Sequence, residues 1–233
     1  FSLDAFSIKE SLLSNSKYKY LVGNRYFWFL ARKLGLSHTE VDDSKYDARA
    51  VNAISAYFEG YWQSYLYFHE YKEIIKSNLQ LVNTDDAKII GYKTQILNVE
   101  NSVAIGMRFY EVNPGDAERY GVQNDGYYLK AMELIESKKK NLTYFVFSMN
   151  IDRAKKELSK YQDRNIVFVN PLVGMADAKL DMYLMSLCNH YIFSNSTMYW
   201  WAAYLGETDS SVVVAPYEGL PSDALLPHWI KLK

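Results

Sequence analysis

Asn195-Ser-Thr197 stands between the short apolar run Tyr191-Ile-Phe193 and the segment Met198-Tyr-Trp-Trp-Ala202. The first flank reads as a buried strand and the second as a helix, so the polar residues fall where a strand ends and a helix begins. In a parallel α/β sheet, ligands collect at that edge. Free backbone N–H groups and the helix dipole favour anions there. The pattern therefore points to a nucleotide or nucleotide-sugar site. Asn, Ser and Thr are also preferred N-cap types, and both roles can hold together, since a cap exposed in a crevice can face phosphate.

Three further residues share this placement. Arg108 directly follows the apolar run Val103 to Met107, and a planar guanidinium fork there can reach a diphosphate. The competing reading is an ion pair with Glu111 or Asp116. Ser148 ends another apolar run, Thr143-Tyr-Phe-Val-Phe147. Asp181 lies near a helix start. A carboxylate can accept two hydrogen bonds from the N1–H and N2 amino group of guanine, a pattern adenine cannot reproduce. Asp181 can equally offset the helix dipole.

The elements that position these residues alternate regularly from Asn101 onward. Strands are expected over Ser102–Met107, Thr143–Ser148, Asn165–Asn170, Tyr191–Phe193 and Ser211–Ala215. Helices are expected over Tyr127–Ser137, Asp152–Lys160, Asp177–Cys188 and Met198–Leu205. Continuous apolar strands separated by amphipathic helices indicate a parallel sheet covered on both faces. The expectation is an α/β, Rossmann-like half with five strands, spanning 101–233. Residues 1–100 are rich in Tyr, Lys and Ser and read as mainly helical. Tyr26 to Gly35 is apolar all round and predicts a buried helix. Ala53 to Gly60 reads as a strand, and Ser64 as the cap of a helix over Tyr65–Leu79. Most of the many Tyr and Phe side chains are expected in cores.

Of 233 residues, 49% are apolar and 23% charged, with a net charge of -1. Such a balance excludes a globally basic, nucleic-acid-binding surface. The single Cys188 has no internal disulfide partner and reads as a packed core thiol. The four His are scattered, without an HxxxH or DxD cluster, so no metal cofactor is expected. No GxSxG motif suggests a hydrolase. No apolar run reaches membrane-span length, and no signal-peptide pattern is visible. The sequons at Asn141 and Asn195 read as chance matches.

Three stretches carry a family resemblance: Tyr57-Phe-Glu-Gly-Tyr-Trp-Gln-Ser64, Asp181 to Leu205, and Val212-Val-Val-Ala-Pro216 with Leu226-Pro-His-Trp-Ile230. They resemble the "GYWQS", "DMYLMS…NSTFSWWGAWL" and "IAP…PENWI" segments of the α-1,2-fucosyltransferases of glycosyltransferase family 11. The middle block is the most specific. The resemblance implies a GT-B-like pair of facing Rossmann-type domains, with residues 1–100 on the acceptor side and 101–233 holding the nucleotide sugar. It implies inverting transfer of L-fucose from GDP-fucose to a galactose-type hydroxyl of a glycan, without a metal. It also implies a bacterial-type protein of the cytoplasm, with association at the inner membrane face as an alternative. The family carries an earlier "GGLGNQ" turn that is absent here, so this numbering is expected to start inside a longer protein.

The same resemblance assigns roles and exposes departures. Its "HxRRxD" motif matches Arg108, the diphosphate contact. Gly106 replaces the His, Phe109 the second Arg and Glu111 the Asp, which leaves Glu111 as the candidate base. Ser148-Met-Asn150 stands where the family has "SDD". Ser148, Asp181, Asn195, Ser196 and Thr197 would bind the donor, with Asp181 on guanine, while Tyr61, Trp62 and Gln63 would face the cleft or pack the domains. A transferase using another nucleotide sugar, or a non-catalytic glycan-binding homologue, are the alternatives.

Overall fold

A computed structural model of the protein describes residues 6–7, 25–34, 37–39, 45–51, 57–80, 86–110, 114–170 and 178–233. The chain divides into two units, one of residues 8–74 with 221–226, the other of 1–7, 75–220 and 227–233.

In the smaller unit, helix α1 (Arg25–Lys33) precedes strand β1 (Ser37–Thr39), helix α2 (Ala48–Val51) and strand β2 (Tyr57–Glu59). The two strands pair in parallel, so this unit is not wholly helical. The expected burial of α1 does not hold: Tyr26, Phe29 and Leu30 are exposed, and Ala31 is buried. An apolar pattern states that a helix needs partners without naming them, and these side chains are open to solvent. The helix expected over Tyr65–Leu79 is broken into two 3-10 turns, Tyr65–Tyr67 and His69–Tyr71, before helix α3 (Lys72–Asn78). Buried Ser64 caps the first turn as expected, its Oγ accepting the Leu66 N–H at 3.4 Å.

The larger unit adds helix α4 (Ala87–Leu97), strand β3 (Asn101–Gly106), helices α5 (Pro114–Tyr120) and α6 (Asp125–Glu136), and strand β4 (Leu142–Phe147). Helix α7 (Ile151–Leu158), strand β5 (Ile166–Phe168), helix α8 (Ala178–Ser186) and strand β6 (His190–Phe193) follow. Helix α9 (Thr197–Gly206) and strands β7 (Val213–Pro216) and β8 (Ile230–Leu232) complete it. Asp86, Asn124 and Asn150 accept first-turn N–H groups at the starts of α4, α6 and α7, which is why those helices begin where they do. The larger unit takes in residues 75–100 beside 101–220 and 227–233; Ile89 and Ile96 of α4 are buried and α4 packs on α8.

The sheet has six strands in the order β5-β4-β3-β6-β7-β8, every neighbour parallel. The sixth, β8, was not expected. It is short and half-buried, and it lies beside Trp229, whose Nε1 donates to the buried Glu207 Oε2 at 2.7 Å. Counted along the chain the order is 3-2-1-4-5-6, the doubly wound arrangement, in which the winding reverses between β3 and β6 and opens a crevice at their carboxyl ends. One face of the sheet carries the main core, where Val103 and Ile105 of β3 pack with Tyr127, Ala131 and Met132 of α6 and Ala154 and Leu158 of α7. Helix α8 packs on both α4 and α9, and strand alternation turns Ala104 and Gly106 away from the α6–α7 core. Cys188 is buried, and burial pushes its thiol pKa up. Among the described residues no helix is long and apolar enough to cross a membrane.

Candidate functional site

The reversal point is stitched by side chains from the loops that leave β3 and β6. The Arg108 N–H donates to Ser194 Oγ at 2.8 Å, and the Ser194 N–H donates to the Gly106 carbonyl at 3.0 Å. Arg108 is thereby fixed across the crevice edge. Its guanidinium lies 5.3 Å from the Tyr110 ring centroid, and Nη1 contacts Met149 Sδ at 3.0 Å. Among the described residues no carboxylate forms an ion pair with it, so the competing pair with Asp116 is not made.

A carboxyl edge presents strand-end carbonyls, which repel an anion. Here three buried tyrosine hydroxyls donate to them. Tyr127 Oη donates to the Phe193 carbonyl at 2.7 Å, Tyr110 Oη to the Asn195 carbonyl at 2.7 Å, and Tyr199 Oη to the carbonyls of Met107 and Phe147 at 3.2 and 3.3 Å. Burial raises the pKa of Tyr110, and that of Tyr127 well above the ordinary range, so both remain neutral donors. These hydroxyls neutralise the edge and leave Arg108 and the start of α9 as its positive features. Sequence reading assigned the tyrosines to the core alone. The usable signal is a Tyr four residues beyond a strand end, as Tyr110 after β3, or at the third position of a helix, as Tyr127 in α6 and Tyr199 in α9, since those positions reach edge carbonyls.

Tyr199 does more than donate. A Cβ on Gly106 would stand 2.6 Å from Cγ and Cδ2 of its ring, so the ring fills the space over Gly106. The resembled pattern has His at the first position and Ser at the second. The chain reverses both sizes, and the reversed pair is in contact.

The predicted donor residues separate into three groups. Arg108, Ser196 and Thr197 present groups at the edge. Ser196 precedes α9 in extended backbone and its hydroxyl makes no cap hydrogen bond, Thr197 is exposed, and the first N–H groups of α9 have no partner within the helix. Asn195 and Ser148 are turned inward. Asn195 is 5% exposed; its Nδ2 donates to the carbonyls of Tyr120 and Gly121, Gly219 at φ 90 leaves room for the amide, and Oδ1 is buried with no hydrogen-bond partner. Its side-chain donors thus hold the 120–121 turn and are spent, so it serves the site through structure, and the sequon at Asn195 offers no accessible nitrogen. Ser148 is 2% exposed, its Oγ accepting the Asn150 N–H at 3.2 Å, which shapes the turn into α7. Asp181 forms the third group. It lies in the first turn of α8, half-buried, at the end of that helix nearest the carboxyl edge.

Glu111 lies outside the described residues. Tyr61, Trp62 and Gln63 belong to the smaller unit. Trp62, at φ 50, meets Phe58 and Tyr67 edge-on at 5.4 and 5.3 Å, a packing role, whereas Tyr61 is exposed. At the opposite edge of the sheet, His190 is buried and accepts the Val212 N–H through Nδ1 at 3.0 Å. Burial, with Lys139 nearby, lowers its pKa to about 4.

Comparison with known proteins gives the family. The model of glycosyl transferase family 11 matches residues 34–233. An alpha-1,2-colitosyltransferase of Escherichia coli is 27% identical over 229 residues, 93% of this chain and 75% of that protein. The O-antigen biosynthesis glycosyltransferase WbnK of the same organism is 29% identical over 147 residues, 60% of this chain and 48% of that protein. The solved structure of NodZ alpha-1,6-fucosyltransferase soaked with GDP-fucose overlays with a TM-score of 0.40 at 18% identity, over 58% of this chain and 46% of that one. The chain thus spans three quarters of the first relative and about half of the other two.

Proposed function

The chain belongs to glycosyl transferase family 11, and on that premise we propose that it transfers L-fucose from GDP-fucose to a galactose-type hydroxyl of a glycan, with inversion. The observation that carries the reading is the crevice edge between β3 and β6. There Arg108 is tied to Ser194, the strand-end carbonyls are covered by tyrosine hydroxyls, and Thr197 at the start of α9 is exposed. An acceptor hydroxyl attacks the anomeric carbon, the carbon–oxygen bond to the diphosphate breaks, and GDP leaves carrying the released charge. Arg108 and the first N–H groups of α9 stabilise that charge, with no metal, because donors already aimed at the developing charge need no reorganisation as it forms. Asp181 selects guanine. Glu111 is assigned the acceptor proton, and Tyr61 and Gln63 the acceptor side.

A second reading shares the nucleotide and changes the sugar. The relative matching 93% of the chain is named a colitosyltransferase, and colitose is fucose without its 3-hydroxyl. Initial rates with GDP-fucose and GDP-colitose, on a galactosyl acceptor, decide between them. A site that hydrogen-bonds the 3-hydroxyl rejects the deoxy sugar strongly, whereas one without that contact accepts both. Thermal shifts with GDP, UDP and ADP test the shared premise, because a ligand bound only by the folded state raises Tm. Equal shifts with all three would end the guanine assignment.

A further inference from the structure

Two guanidinium groups lie at the exits of neighbouring strands β3 and β4, each against an aromatic ring of the same loop. Arg108 stands over Tyr110, and Arg153, on α7, stands 4.3 Å from the centroid of Phe109. Phe109 and Tyr110 are 4% and 8% exposed, so both rings are fixed by packing. Tyr110 adopts φ 57, a conformation uncommon for a bulky residue. A ring engages the face of a guanidinium and leaves its in-plane N–H fork unspent.

The Arg153 side chain reaches solvent, so its fork is open to a ligand. Among the described residues its nearest carboxylate, Glu157, is 3.9 Å away, beyond the length of a charge-assisted hydrogen bond. Its backbone N–H donates to the capping Asn150 Oδ1 at 3.0 Å, which puts the residue in the first turn of α7. A cation is disfavoured at that end of a helix. Arg153 is thus held on a buried ring at the unfavourable end of a helix, beside the exit that carries Arg108. An anion at the crevice edge resolves all of these features at once.

We propose that Arg153 is a second guanidinium of the diphosphate site, binding the leaving nucleotide together with Arg108. The proposal rests on the GDP reading above and adds a residue to it. Titration calorimetry with GDP and guanosine, on the full chain, tests it with Arg153→Met and Arg153→Lys. Arg153→Met is expected to weaken GDP about tenfold or more, the size of a lost hydrogen bond to a charged group, and to leave guanosine affinity within twofold. Arg153→Lys, which keeps the charge without the fork, falls between and reads the effect should the Met variant fold poorly. Glu157→Gln, which removes the competing carboxylate, should leave GDP affinity equal or tighter. If wild-type protein binds GDP, Arg108→Met weakens it, and both Arg153 variants stay within twofold, the proposal is overturned while the GDP reading stands. Should wild-type protein bind UDP as well as GDP, the GDP reading fails instead. Equal weakening of GDP and guanosine by Arg153→Met would also overturn the assignment to phosphate.

Discussion

Gly106→Ala adds one methyl group where the structure has no room for it. The new Cβ would meet two ring carbons of Tyr199 at 2.6 Å, about 1 Å inside ordinary carbon–carbon contact. The ring cannot easily retreat, since Tyr199 is 2% exposed and its hydroxyl is tied to the Met107 and Phe147 carbonyls. Overpacking of this kind costs about 1–3 kcal/mol, and disturbing the hydroxyl's bonds adds about 1 kcal/mol. For a chain of this length a loss of about 2 kcal/mol lowers Tm by roughly 4–8 °C. Activity should suffer as well. Tyr199 Oη holds the carbonyl immediately before Arg108, and a displacement of a few tenths of an ångström there should lower kcat by roughly tenfold, given that about 1 Å costs about a hundredfold. The check is a thermal and urea melt with initial rates for Gly106→Ala, Tyr199→Ser and the double variant. Tyr199→Ser alone should cost about 3–5 kcal/mol, as large-to-small core changes do. In its background the added methyl finds space, so the cycle should show coupling of at least about 1 kcal/mol. A Gly106→Ala protein melting within a degree of wild type, or an additive cycle, would refute the reasoning.

The other predictions concern the site and the pH response. Asp181→Asn should remove the preference for GDP over UDP and ADP in thermal shift, because an amide cannot accept both guanine hydrogen bonds; a retained preference places guanine recognition elsewhere. Arg108→Lys should lose on the order of a hundredfold in turnover with the melt unchanged, and wild-type turnover should survive EDTA; near-normal activity in the variant removes Arg108 from the leaving-group role. Glu111→Gln should lower turnover strongly with GDP affinity nearly unchanged, and full activity would clear Glu111 of acid–base work. His190 must stay neutral to accept the Val212 N–H, and its pKa of about 4 lies below the unfolded value of 6.5. Its contribution is complete above about pH 6.5 and is lost as pH falls through 4, a total of about 3 kcal/mol. Urea midpoints of wild type minus His190→Gln should therefore converge between pH 7 and 4, and a constant difference would contradict the shift.

Much of the sheet was legible because its strands are unbroken apolar runs, buried on both faces, whose boundaries coincide with capping residues. Strand β8 escaped because Ile230-Lys-Leu232 is short and interrupted by a charge. Its place comes from pairing with β7, a long-range contact with no local pattern. The misreading of α1 has a related cause, since periodicity reports a need for burial and not its fulfilment. At the site, residue type and strand-end position were enough to place Arg108, Ser196 and Thr197 at the sheet's carboxyl edge. They were not enough to show that Asn195 and Ser148 face inward, because a polar residue at a strand end can bond either a ligand or the neighbouring turn. For Asn195 the Tyr120 and Gly121 carbonyls, 74 residues or more away in the chain, decide it, and for Ser148 the Asn150 N–H does.

The departures from the "HxRRxD" pattern also look different in space. Read along the chain, Gly106 and Phe109 are two losses, and they make Arg108 look isolated. In the fold each lost side chain is answered by a residue from another element. Tyr199 of α9 fills the volume over Gly106 and ties down the carbonyl before Arg108. Arg153 of α7 lays its guanidinium on the ring of Phe109. A chain drifting without constraint at these positions would leave a cavity over the glycine and an unattended ring at the loop, with each change costing stability separately. Tyr199 keeps the volume over Gly106 filled, and Arg153 sets a guanidinium on the ring that stands at the pattern's second Arg. Conserved volume is explained by packing alone. A cation held at a helix end that disfavours it is not, since packing would be served as well by Met or Leu on the same ring, and this makes the charge of Arg153, more than its bulk, the feature that binding measurements should find.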